Sequence, residues 1–272
     1  MKELVFCKLG GSAITVKTRP HTARPQVLAR LAGEIAEALR AHPELRLVLG
    51  HGSGSYGHSV ARRTGTRAGV HGPAQWYGFA EVAAAAGRLN RRVADSLLAA
   101  GVPAWCLAPS ALVRCDSGQL VAMDTAVVAE ALARGLVPLL YGDVAIDQTI
   151  GGTIVSTEQV LAFLARRLQP RRVVLISDVD GVFTSDPRSD PTAQRVPEIT
   201  PANWPSVQRG LGASRAADVT GGMRAKVGEM VRLAEEVPGM EVRILSAERP
   251  GALASALQEE QAGDCGTVIR WL

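Results

Sequence analysis

An α/β fold, with a largely parallel open sheet and helices on both of its faces, is what the 272 residues predict. Three observations carry that expectation. Apolar runs of strand length alternate with amphipathic stretches of helical period along most of the chain. Several of those runs end directly in glycines, which is how α/β proteins build ligand sites at the carboxyl ends of their strands. No internal repeat or linker interrupts the pattern, so residues 1–272 read as one domain, with a boundary between two lobes near residue 170.

The elements follow in order. "ELVFCKLG" (3–10) is a short apolar strand ending in glycines, and an amphipathic helix runs from about Ala23 to Arg40. "ELRLVLGHGSG" (44–54) repeats the theme of a strand running into glycines and toward a helix. Residues 76–100 form a long helix closed by Gly101, "PAWCLA" (103–108) is the next strand, and "ALVRC" (111–115) and "QLVAM" (119–123) are shorter extended pieces. A helix over 124–134 opens at Asp124, and "LVPLLYGDVAID" (136–147) reads as one buried strand. "GGTIVSTEQVLAFLARRL" supplies a strand, a Ser/Thr cap and a helix, and "RRVVLISDVDGVFTSDP" (171–187) holds the most continuous β-branched run, the mark of a buried parallel strand. A Pro-rich connector "TPANWPSV", the helix "GGMRAKVGEMVRLAEEV" and the strands "MEVRILS" and "TVIRWL" complete the chain.

Composition removes several function classes. A hydrophobic fraction of 47% with 21% charged residues describes a folded soluble protein. No apolar run reaches membrane-spanning length and the N-terminus enters a strand without a signal pattern, so the cytoplasm is the expected compartment. The four cysteines, at 7, 106, 115 and 265, lack C-x-x-C spacing and read as free thiols rather than disulfides or metal ligands. A net charge of +4 invites nucleic acid, but the arginine pairs are scattered and aromatics make up 4%, which argues against it. The 30 basic residues comprise 26 Arg and four Lys, and three of those lysines, Lys8, Lys17 and Lys226, border small-residue loops. An ammonium fits against a phosphate in a tight pocket where a broad planar guanidinium does not.

Three glycine-rich turns line up as strand exits: "KLGGS" (8–12), "GHGSGSYGH" (50–58) and "TGGMRAK" (220–226). A single such loop is as readily a plain turn; three of them, two carrying a retained lysine, point to phosphate binding. No G-x-x-x-x-G-K-[ST] occurs, and the glycines at 52, 54 and 57 lack the acidic ribose partner of a dinucleotide fingerprint, so neither common nucleotide loop is present.

"KLGGS", "HGSGSYGH", "YGD", "SDVDGV" and "DVTGGMRAK", in that order across nearly the whole chain, resemble the amino acid kinase superfamily and most closely its isopentenyl phosphate kinases. The resemblance implies a three-layer αβα sandwich, usually a homodimer, that moves the γ-phosphoryl of ATP, with Mg²⁺, onto isopentenyl phosphate, the acceptor bound in the N-terminal lobe and the nucleotide in the C-terminal one. The chemistry is consistent, because a phosphate monoester is already anionic near neutral pH and needs cations and N–H cradles more than a base. Carried onto this chain, the resemblance puts Lys8 and Lys226 on the ATP phosphates, the Gly10 and Gly11 amides and Ser12 around the transferred phosphoryl, and Lys17 at the transition state. Thr220, Gly221 and Gly222 form the nucleotide-side turn; Ser53 and Gly54 lie between the two phosphates, and His58 holds the acceptor phosphate. Asp143 orients the lysines or caps a turn. Asp178 and Asp180 lie toward ribose and adenine, or serve as a structural turn. Thr157 falls on the substrate side, and the helix from Trp76, with Phe79, Val82, Ala83 and Ala86 at helical spacing, walls the prenyl tail or is ordinary core; its small residues leave room for longer prenyl monophosphates. His51 is expected to be packed, and His21, His42 and His71 to lie on the surface.

The chain departs from the family pattern at Ser53, where glycine is frequent, and at Thr157 and Glu158, where a Gly-Asp pair is. Two other readings stand beside this one: a fosfomycin-type phosphonate kinase, which shares the closing histidine, and a non-catalytic anion store or sensor on the same fold.

Overall fold

Alternation within three strands decides how the layers form. In β1 (Leu4–Leu9), Val5, Cys7 and Leu9 join one apolar cluster and Phe6 the opposite one; in β2 (Arg46–His51), Leu47 and Leu49 part from Val48 in the same way, and in β9 (Arg172–Ser177), Val174 and Ile176 part from Val173. Strands apolar on both faces must be covered on both, as a parallel sheet is. The computed structural model, which describes residues 3–187, 189–211, 222–258 and 265–271, is built that way.

One face is covered by α2 (Pro25–Ala41), α4 (Pro73–Ala99) and α10 (Ala252–Leu257), through Leu31, Ile35, Leu89, Val93 and Leu253. The other is covered by α6 (Ala126–Ala133), α7 (Thr157–Leu168) and α9 (Gly222–Glu236), through Val128, Leu161, Leu164, Met230 and Leu233. The eight strands run in the order β12-β14-β13-β9-β1-β2-β6-β3, where β3 is Ala104–Cys106, β6 Val137–Tyr141, β12 Glu198–Ile199, β13 Glu241–Ser246 and β14 Thr267–Arg270. Every pairing is parallel except β13 with β14. The expected αβα sandwich is thus observed. No helix among the described residues is long and apolar enough to cross a membrane.

The stretch 136–147 differs from expectation. It is two strands: β6 pairs with β2 and β3 in the large sheet, while β7 (Asp143–Asp147) pairs antiparallel with β8 (Gly151–Val155) in a separate four-stranded sheet with β4 (Val113–Asp116) and β5 (Gln119–Met123). Gly142 breaks the run, its N–H donating to the His51 carbonyl at 3.2 Å. The loop "GHGSGSYGH" is likewise mostly α3 (Gly54–Thr64), held by buried Tyr56, Val60 and Ala61 and closed by Gly65 in the left-handed conformation. The remaining elements are the short α1 (Gly11–Ile14) and α5 (Pro109–Leu112), α8 (Trp204–Leu211), and a small hairpin of β10 (Val182–Phe183) with β11 (Arg195–Val196).

Candidate active site

The carboxyl ends of β1, β2, β8 and β9 open into one cavity of about 750 Å³. Lys8, two residues after Phe6 on β1, shares its face and so points to the α7 layer, where it is buried and ion-paired with Glu158, the second residue of α7. Burial by itself would raise the Glu158 pKa, but Lys8 and Lys226 outweigh it and hold the carboxyl below its ordinary value. Glu158 is therefore held in its ionised form. Lys226, carried by α9, lines the same cavity. Lys17 is paired with Asp178 at 2.8 Å, with its side chain 54% exposed, and Ser12 Oγ donates to the same carboxylate at 3.0 Å.

The glycines serve each other as well as a ligand. A Cβ on Gly11 would run into the Gly54 backbone, and one on Gly54, whose φ is +49°, would run into Thr15 and the Gly11 carbonyl. The loops after β1 and β2 therefore touch backbone to backbone, an approach only glycine permits. Gly11, Ser12, Ser53 and Gly54 all line the cavity.

The same cavity is lined by Gly57, His58 and Ser59 of α3 and by Thr157 of α7. The α7 cap holds Thr157 in place: Gln159 N–H donates to Ser156 Oγ at 3.1 Å and Ser156 N–H to Gln159 Oε1 at 2.9 Å, while Thr157 Oγ1 donates to the His51 carbonyl at 2.7 Å. The far wall is apolar, made by Ala61, Val82, Ala86, Ile154 and Val155.

Several expected residues fall elsewhere. Phe79 and Ala83 are not in the cavity wall; they pack on the small cluster of Val60, Val82 and Val144. Phe79 sits about 10 Å along the helix axis from Ala86, level with Gly152 of β8 and edge-on to Trp76. Asp143 is not beside the lysines: its carboxylate accepts from the N–H groups of Ser110 and Val144, and burial raises its pKa. The carboxylate beside Lys8 is Glu158. Gly10 donates its N–H to the Ile176 carbonyl at 2.7 Å, so that amide belongs to the seam between β1 and β9. Asp180 lies outside the lining and pairs with Arg249 at 3.5 Å. Asp178 lines the cavity, engaged by Lys17 and Ser12. Gly222 opens α9, while Thr220 and Gly221 lie outside the described residues. His51 is fully buried, stacked on Tyr141 and bonded to Gly52 and Asn90, and burial lowers its pKa to about 4. His21, His42 and His71 are exposed.

Known proteins share this fold. The family model described as "Amino acid kinase family" matches residues 3–246. The chain belongs to that family, in its isopentenyl phosphate kinase branch. It is 34% identical to the isopentenyl phosphate kinase of Methanothermobacter thermautotrophicus over 95% of this chain and 96% of that one. It is 32% identical to that of Arabidopsis thaliana over 83% and 73%. A solved isopentenyl phosphate kinase structure superposes with a TM-score of 0.83 at 32% identity, covering 98% of this chain and all of the other. The Thermoplasma acidophilum isopentenyl phosphate kinase product complex does so at 0.79 and 26% identity, with the same coverage.

In this amino acid kinase the sequence reading missed Glu158, and it also missed Arg62, Arg67, Phe183 and Met223 in the wall. Glu158 carried a signal: Ser156 and Gln159 cap the helix between them, which leaves the acid in the first turn free to meet one of the four lysines.

Proposed function

We propose that this protein transfers the γ-phosphoryl of ATP to isopentenyl phosphate, forming isopentenyl diphosphate. The observation that carries the reading is the continuity of one cavity from three lysines and two glycine loops, past His58, to the apolar wall of Val82, Ala86, Ile154 and Val155. An acceptor with a phosphate at one end and a short hydrocarbon tail at the other matches that gradient; a small polar phosphonate matches only half of it. The named relatives support the same substrate.

In this reading Lys8, Lys17 and Lys226 neutralise the phosphates in flight and Glu158 keeps Lys8 aimed at them. Gly11, Ser53 and Gly54 let the two phosphates approach along backbone, and His58 donates a hydrogen bond to the acceptor phosphate. The acceptor oxygen attacks the γ-phosphorus in line as the bond to ADP breaks, and no side chain need remove a proton, since the nucleophile is already anionic. Magnesium fits as an ion carried by the nucleotide's own phosphates and water, its usual mode in kinases; no group of three or more His, Cys, Asp or Glu gathers for a metal among the described residues. When bound it supplies further charge neutralisation. The homodimer belongs to the proposal and is read out by light scattering.

³¹P NMR with Mg·ATP and isopentenyl phosphate, beside a tube with fosfomycin, tests it. Diphosphate doublets with the prenyl acceptor are expected. Reaction with fosfomycin alone would replace the substrate, and reaction with neither would favour an anion store or sensor.

A further inference from the structure

We propose that Arg62 is a second ligand of the acceptor's phosphate, acting with His58; this rests on the kinase reading above. Arg62 stands four residues after His58 in α3, so the two share one helix face, and both line the cavity. Side chains on a helix lean toward its N-terminus, which brings the Arg62 guanidinium back over the turn that carries His58. Its neighbour Arg63 points the other way and is tied to Glu81 of α4 at 2.9 Å. Arg62 has no ion pair or hydrogen bond among the described residues.

Charge balance gives that guanidinium its task. Lys8 is matched by Glu158 and Lys17 by Asp178, while Lys226 and Arg224 come from α9, the nucleotide-side helix in the reading above. Arg67, which also lines the cavity, lies beyond α3; on α3 itself, with Arg63 tied to Glu81, Arg62 is the residue that can bring positive charge to a phosphate monoester bound at His58. A guanidinium stays charged at every working pH and offers the paired N–H groups that suit a phosphate.

The test is steady-state kinetics of Arg62→Gln, Arg62→Lys and Arg63→Gln with isopentenyl phosphate, methyl phosphate and geranyl phosphate. Arg62→Gln should raise the acceptor KM about tenfold, the scale of one lost charge-assisted hydrogen bond at a half-open site, with kcat and the ATP KM little changed. Arg62→Lys should recover part of the loss and Arg63→Gln should match the wild type. The rise should be alike for all three acceptors. An unchanged acceptor KM overturns the proposal, as does a penalty that grows with tail length, which would make Arg62 a wall of the tail chamber. Absence of turnover by the wild type with every phosphate acceptor breaks the kinase reading itself, and Arg62 falls with it.

Discussion

The two ends of the cavity are stabilised by opposite means. At the phosphate end, charges are held by charges: Lys8 against Glu158, Lys17 against Asp178. At the tail end, Val82, Ala86, Ile154 and Val155 come from elements that pack on one another, and no ion pair is needed to shape the wall. The buried Lys8–Glu158 pair is costly to break, whereas the half-exposed Lys17–Asp178 pair and the apolar wall tolerate adjustment, because an uncompensated buried charge loses far more than an exposed one or a methylene does.

That contrast is sharpest at Glu158. Glu158→Ala leaves Lys8 buried without its carboxylate and should destabilise the fold by about 3–5 kcal/mol, with nearly complete loss of phosphoryl transfer; chemical denaturation and a coupled ADP assay read the two effects. Near-wild-type stability would mean that the pair is not the anchor of that end.

His51, packed directly beneath the glycine loop, gives the next effect. Its folded pKa of about 4 lies below the ordinary 6.5 because burial disfavours the cation. As pH falls the unfolded chain takes up the proton first, so stability present above about pH 6.5 is lost progressively toward pH 4, by about 3 kcal/mol in all. The difference in acid melting between wild type and His51→Gln isolates this slope, and parallel curves would refute it.

Changes at the tail end should be smaller and selective. Ala86→Leu fills the chamber and should raise the KM for geranyl phosphate more than that for isopentenyl phosphate, at an overpacking cost of about 1–3 kcal/mol. Equal effects on both acceptors would detach Ala86 from the tail. Phe79→Leu, outside the wall, should lower stability by about 1 kcal/mol and leave both KM values unchanged; an altered acceptor preference would return Phe79 to the site.

Phe79 also shows where sequence periodicity stops. The spacing of 79, 82, 83 and 86 correctly marks an apolar helix face, but which turn of that face meets the cavity depends on where β8 ends, which no local pattern encodes. Asp143 and Glu158 make the same point with charge. Both are acids near a strand end, and only the split of 136–147 into strands of two different sheets takes Asp143 to Ser110 and leaves Glu158 opposite Lys8.

By itself the sequence determined the layered α/β architecture, because strands apolar on both faces must be sandwiched. It also pointed to phosphate binding, because three of the four lysines among 30 basic residues border small-residue loops. The tertiary structure alone decided which carboxylate faces which lysine and which glycine amide is already bonded. Those outcomes turn on contacts between residues as much as 150 positions apart, and local propensity carries no information about them.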